Sequence, residues 1–130
     1  MPFVKVEIFS GKSKEYKKKL LDSIHDALVE AFKIPEDDRM QRLYELEPEN
    51  FETVPGKTEN FTMIELTVFP GRSLEAKRKL YSTIVKNLGE SLSIAPSDVF
   101  IVINEPPLEN WGIRGGKAAI DIDLGFKIDV

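Results

Sequence analysis

Three residues have types and spacing that could do chemistry together: Pro2, Asp38 and Arg72. Pro2 stands directly behind Met1 in "MPFVKVEIF". Initiator methionine is commonly trimmed when proline follows, and trimming would turn the Pro2 nitrogen into a secondary amine. An α-amino group titrates at about 7.7 to 8.0, so such an amine can take or deliver a proton near neutrality. A carboxylate beside it would favour the cation, and a guanidinium would disfavour it. The plainer reading is that Pro2 only opens a strand, where its missing N–H costs nothing.

The elements that must position these groups are legible as a repeat. Residues 3–45 laid over 63–105 give thirteen identities in forty-three positions, among them Phe9/Phe69, Gly11/Gly71, Ser13/Ser73, Lys17/Lys77, Asp38/Asp98 and Glu45/Glu105. The chain is read as a duplicated unit. Each copy opens with period-two alternation, Val4, Val6, Ile8 and Ile64, Leu66, Val68, which marks a strand with one apolar face. A glycine turn follows, "SGKS" or "PGRS", with a serine placed to cap a helix. Apolar residues then recur every fourth position, Tyr16, Leu20, Ile24, Leu28, Phe32 in one helix and Leu80, Ile84, Leu88, Leu92 in the other. "IPEDD" and "IAPSD" close the helices, because a proline and the residue before it resist helical continuation. Second strands follow in "RMQRLYEL" and "VFIVINE".

The expected fold is α+β in two layers: two β-α-β units with right-handed crossovers, a four-stranded mixed sheet, and both helices on one face. The expected organisation is one domain over 1–130, with repeats at about 2–46 and 61–106 and a C-terminal tail over 107–130. The other sheet face mixes Lys5, Glu7, Glu65 and Thr67 with apolar residues, which argues for oligomerisation through it. The tail alternates like a strand in "IDIDLGFKIDV" and is expected to add to a neighbouring subunit's sheet.

This architecture gathers the three groups. Parallel strands of one unit start at the same sheet edge, so Pro2 and Asp38 should be neighbours. With the second unit antiparallel to the first, Arg72 at the end of "FPGRS" falls at that edge too. The repeat also supplies a control. Asp98 matches Asp38, but Thr62 matches Pro2 and its nitrogen is an amide, so Asp98 reads as a turn or cap. An Asp at this place can therefore be structural as well as functional.

Other features exclude chemistry more than they suggest it. The chain of 130 residues is 42% hydrophobic and 31% charged, without cysteine, so disulfides, thiolate nucleophiles and cysteine-zinc sites are ruled out. A net charge of −4 with mixed signs argues against nucleic acid, and the "KEYKKK" run reads as a solvated helix face. There is no apolar run for a membrane span and no signal segment, so a cytoplasmic location is expected. His25 is the only histidine, lies mid-helix and is expected at the surface or its boundary. "WGIRGGK" lacks the phosphate-loop pattern. Trp111 and Ile113 read either as ordinary packing or as a lid over the Pro2 pocket.

Pro2 behind Met1, the "GKS" and "GRS" turns of duplicated β-α-β units, and "IPEDDRMQ" together resemble the tautomerase superfamily. Within it the chain is similar to the malonate semialdehyde decarboxylase group, through Pro2, Asp38-Arg39-Met40-Gln41, Arg72, and Trp111 with Gly112, Gly115 and Gly116. The resemblance implies a homotrimer without metal or cofactor, acting on small oxo acids. It makes Pro2 the proton carrier and Arg72 the holder of a carboxylate or carbonyl oxygen. Asp38 would orient Pro2 or activate water, and Arg39, Gln41, Trp111 and Ile113 would line the substrate. One departure is that "VFPGRS" carries a single arginine where some decarboxylases of the group have two, leaving Lys12, Arg39 or Arg114 to supply a second anchor. Decarboxylation or hydration would need a cationic Pro2. Keto-enol tautomerisation of a 2-oxo acid such as phenylpyruvate would need a neutral one. A trimeric binding protein would need neither.

Overall fold

A computed structural model describes residues 2–130; whether Met1 is retained lies outside them. Strands β1 (Phe3–Phe9), β2 (Met40–Leu46), β3 (Thr62–Thr67) and β4 (Val99–Asn104) form one sheet, with helices α1 (Lys14–Phe32) and α2 (Leu74–Leu92) between the strands of each pair. The strand order is β2-β1-β3-β4. β1 runs parallel to β2 and β3 parallel to β4, while β1 and β3 pair antiparallel at the centre. This is the expected mixed sheet of two β-α-β units.

The alternation decides which face is covered. Val4, Val6, Ile8, Ile64, Leu66 and Val68 point to the helices and are essentially solvent-free, together with Leu20, Ile24, Leu28, Leu80, Ile84 and Leu88. Burying each such side chain is worth about 1.5–3 kcal/mol. The two helices start and stop alike. Ser13 accepts from Tyr16 N–H at 3.0 Å and Ser73 from Ala76 N–H at 3.1 Å, satisfying an end donor in each helix. Both end on a left-handed residue, Lys33 and Ser93, each at φ 57°. Matching ion pairs, Lys17 with Glu45 at 3.1 Å and Lys77 with Glu105 at 2.7 Å, tie each helix to its following strand.

The second unit is closed by its own chain. Asp98, 1% exposed, accepts from Thr58 N–H at 2.9 Å and from the Thr58 hydroxyl at 2.5 Å. Lys12 donates to Asn60 Oδ1 at 2.5 Å and lies 5.0 Å from the Tyr16 ring centroid. Burial and then the Asp98 charge push the Tyr16 phenol up from its ordinary value. Asp98 is thus the cap that the repeat comparison anticipates.

Two expectations are corrected. His25 is 3% exposed, not a surface or boundary residue, and its Nε2 lies 2.8 Å from the Glu36 carbonyl. The reason is that α1 packs against the returning segment 33–39 as well as the sheet, so its buried face is wider than the every-fourth-residue stripe. The tail segment 120–130 is not a strand. Asp123 Oδ1 accepts from Gly125 N–H at 2.9 Å, Gly125 takes φ 80°, and the chain turns back. Phe126 then stacks on Phe69 at 6.4 Å, and Ser73 N–H donates to the Val130 carbonyl at 2.8 Å. The apolar positions of the alternation find a cluster on their own chain.

The sheet's other face stays uncovered within the protomer. Lys5 and Glu65 pair there at 3.6 Å, beside Tyr44, Phe100 and Val102, all exposed. "WGIRGGK" forms a small hairpin, β5 (Gly112–Ile113) with β6 (Lys117–Ala118), whose turn needs positive φ at Arg114, Gly115 and Gly116.

Replacing Asp98 by alanine strands the Thr58 N–H and hydroxyl and is expected to cost about 1–3 kcal/mol in chemical denaturation, with the secondary structure unchanged by circular dichroism.

Candidate active site

The strand register brings the three chemical residues to one sheet end. Phe3 lies level with Met40 on one side and Thr67 on the other. One residue earlier, buried Pro2 falls beside Arg39 in the parallel neighbour and Val68 in the antiparallel one. Half-buried Asp38 sits just before β2 on a tight turn, its N–H donating to the Pro35 carbonyl at 3.1 Å. Arg72 follows β3 through Gly71, whose φ of 132° strains any side chain and where a Cβ would crowd the Ile128 carbonyl at 3.1 Å.

Arg72 is the most constrained group of the set. It is 5% exposed, its guanidinium lies 4.9 Å from the Phe32 ring centroid, and Nη1 donates to the Phe69 carbonyl at 3.2 Å. Nε and Nη2 are buried with no hydrogen-bond partner among the described residues. Burial pushes the guanidinium down from its ordinary value, while the charges of Asp38 and Glu105 act in the opposite sense. Two unmet donors on a buried cation are costly, and an anionic oxygen would satisfy both.

On the open face of the same sheet end, Trp111 packs edge-on against Phe69 at 4.6 Å and Phe3 at 5.9 Å. Its Nε1 donates to the Pro106 carbonyl at 3.0 Å. A second apolar cluster forms around it, with Phe69, Ala119, Ile113, Phe126 and Ile128. Trp111 also walls a cavity of about 180 Å³ with Phe3, Thr67, Pro106 and Asn110.

The remaining sequence candidates go elsewhere. Arg39 pairs with Asp22 at 2.5 Å, and hydrogen bonds from Lys18 and Arg39 hold that carboxyl below its usual range. Gln41 donates from Nε2 to the Leu21 carbonyl at 2.9 Å, tying β2 to α1. Arg114 donates to the carbonyls of Asp123 and Leu124 at 2.8 and 2.9 Å, holding the tail. With Lys12 at the opposite corner, each candidate second anchor is engaged in this protomer away from Arg72. Sequence reasoning missed Phe32 as the platform under Arg72 and Phe69 as the centre of the tail cluster. The Phe9/Phe69 identity was a signal for the latter. Among the described residues, no group of three or more histidines and carboxylates is placed to hold a metal ion. No helix there is long and apolar enough to cross a membrane.

Comparison with known proteins fits this geometry. Family models described as tautomerase enzyme match residues 38–114 and 2–54. The probable tautomerase YusQ of Bacillus subtilis (strain 168) is 31% identical over 123 residues, spanning 91% of this chain and 97% of its own. A solved malonate semialdehyde decarboxylase is 28% identical with a TM-score of 0.80, covering 89% of this chain and 93% of that one. A fused 4-OT, solved as an asymmetric trimer, is 26% identical with a TM-score of 0.81, covering 92% and 97%. The chain belongs to the tautomerase family and is an enzyme of that superfamily.

Proposed function

We propose that the Pro2 amine, freed by removal of Met1, transfers protons on a small oxo acid whose carboxylate or carbonyl oxygen sits on Arg72. The observation that carries this reading is the buried Arg72 guanidinium, with Nε and Nη2 lacking partners at the sheet end where β1 begins. Asp38 raises the affinity of the amine for its proton, and either orients it or activates water. Burial and Arg72 act against the proton. With Asp38 dominant, Pro2 is cationic and acts as an acid. For a 3-oxo acid it would protonate the carbonyl oxygen as the bond to the carboxylate carbon breaks, releasing carbon dioxide and an enol that becomes the aldehyde or ketone. The likeness to malonate semialdehyde decarboxylase supports this chemistry, and hydration of an acetylenic acid would use the same charge state. Trp111 and Ile113 serve as the apolar wall that limits water.

A second reading is favoured by the engagement of Lys12, Arg39 and Arg114, the candidate second anchors among the described residues, with other partners. Ketonisation of a 2-oxo acid such as phenylpyruvate needs one carboxylate anchor and a neutral Pro2 as base.

The two readings differ in sign. With Pro2 as acid, kcat/KM falls as pH rises through the amine's pKa. With Pro2 as base, it falls as pH drops below that pKa. Titration of a 15N-labelled Pro2 amine alongside both profiles decides between them. Intact mass is expected to show Met1 absent. Pro2→Ala is expected to lose about a hundredfold or more in kcat, and Arg72→Ala to raise KM by about tenfold or more. Full activity in Pro2→Ala removes both mechanisms.

The uncovered face, with Tyr44, Phe100 and Val102 exposed, and the trimeric fused 4-OT support a homotrimer. Sedimentation is expected to give three times the 14.7 kDa protomer mass, and Val102→Glu to reduce it.

A further inference from the structure

Asp38 rides on a turn that neither helix nor sheet contains. After Phe32 the chain takes a left-handed step at Lys33, buries Ile34, passes Pro35 and exposes Glu36 and Asp37 before reaching Asp38. The turn is closed by Asp38 N–H to the Pro35 carbonyl at 3.1 Å and Arg39 N–H to the Asp37 carbonyl at 3.0 Å. Short local bonds of this kind shape a turn but do not fix its place against the rest of the fold. Burial of Ile34 anchors the turn's start, and α1 holds the part nearer Asp38. The His25 ring is 3% exposed, and its Nε2 meets the Glu36 carbonyl at 2.8 Å. A carbonyl only accepts, so Nε2 carries the hydrogen. The Glu36 carboxylate, at 3.8 Å from the same nitrogen, is largely in solvent.

The other repeat shows that this pin is not a general requirement of the fold. Val85 stands where His25 does, and the equivalent turn closes with Asp98 N–H to the Ala95 carbonyl at 2.9 Å. There the aspartate is fixed through its carboxylate, which accepts from Thr58 N–H and hydroxyl. A carboxylate held by a structural cap is committed to that cap. In the first repeat the His25 ring holds the turn through the Glu36 carbonyl, one peptide away from the acidic residue pair Asp37-Asp38.

We propose that His25 is a positioning residue for Asp38, acting through the Glu36 carbonyl to set the carboxylate's distance from the Pro2 amine. This rests on the reading that Asp38 acts on that amine. Displacements on the order of 1 Å at a catalytic group can cost as much as a hundredfold in rate. Loss of the pin therefore shows in the chemistry rather than in substrate binding.

The test uses the full-length, Met-free protein with His25→Phe, which keeps the ring's shape without its donor, and His25→Gln, whose Nε2 can reach the same carbonyl. Both are made in the wild-type and Asp38→Asn backgrounds. The readouts are phenylpyruvate ketonisation and the Pro2 amine titration, which needs no substrate. His25→Phe is expected to lower kcat about tenfold, leave KM within about twofold and shift the amine titration toward lower pH. His25→Gln is expected to restore both, and His25→Phe is expected to add nothing in the Asp38→Asn background. Full additivity, or an unshifted amine in His25→Phe, overturns the proposal. If Asp38→Asn itself leaves the amine titration and kcat unchanged, the Asp38 reading fails first and the His25 role with it. Should His25→Phe not fold, long-range 1H–15N correlation of wild-type His25 decides: an Nε2–H tautomer supports the pin, and an Nδ1–H tautomer excludes it.

Discussion

The antiparallel pairing of β1 with β3 is the constraint on which the rest depends. It is the seam between the two β-α-β units, and its register, Phe3 opposite Thr67 and Ile8 opposite Thr62, sends the end of β3 to the start of β1. Parallel pairing alone would place Arg72 at the far end of the sheet from Pro2. Because side chains alternate along a strand, a one-residue slip of this seam would also turn Val4, Val6 and Ile8 away from the helices. The core therefore holds the site's geometry: the register that buries six apolar side chains also sets Arg72 near Asp38.

A buried guanidinium with two unmet donors is expensive, and the fold surrounds it with what it can tolerate. Phe32 offers a ring face, the Phe69 carbonyl takes one donor, and Asp38 and Glu105 supply opposite charge. The tail closes the far side by packing Ile128 onto Gly71 and Phe126 onto Phe69. The opposite corner of the sheet shows the same backbone plan without unmet donors on its cation: Lys12 is taken up by Asn60, and Asp98 by Thr58. Duplication produced two similar corners, and the linker before β3 sealed one of them.

Much of this was legible in the residues because it depends on period and identity. Alternation in Val4, Val6 and Ile8, the every-fourth-residue stripe of Leu20, Ile24 and Leu28, and the serine caps are local, and local patterns survive folding. The convergence of Pro2, Asp38 and Arg72 followed from strand direction alone. His25 was misplaced because burial depends on what packs over a residue, and the segment 33–39 over α1 leaves no trace in the helix's own periodicity. The tail was misread for a related reason. Alternation marks two-faced residues, and within the protomer Gly125 with Asp123 turns the chain so that these residues pack on Phe69 rather than extending as a strand.

Sequence by itself determined the two units, their helices and strands, the apolar face of each strand, and the residue types available for proton transfer. Tertiary structure decided which cation is buried with unmet donors and which are paired elsewhere. Arg39, Lys12 and Arg114 are as basic as Arg72, but Asp22, Asn60 and the tail carbonyls lie within their reach. Arg72 alone is drawn into the interior, because Gly71 admits the tail against the turn and Phe32 stands beneath it. A side chain's charge is written in the sequence, whereas its solvation and its partners depend on distances that only the folded chain sets.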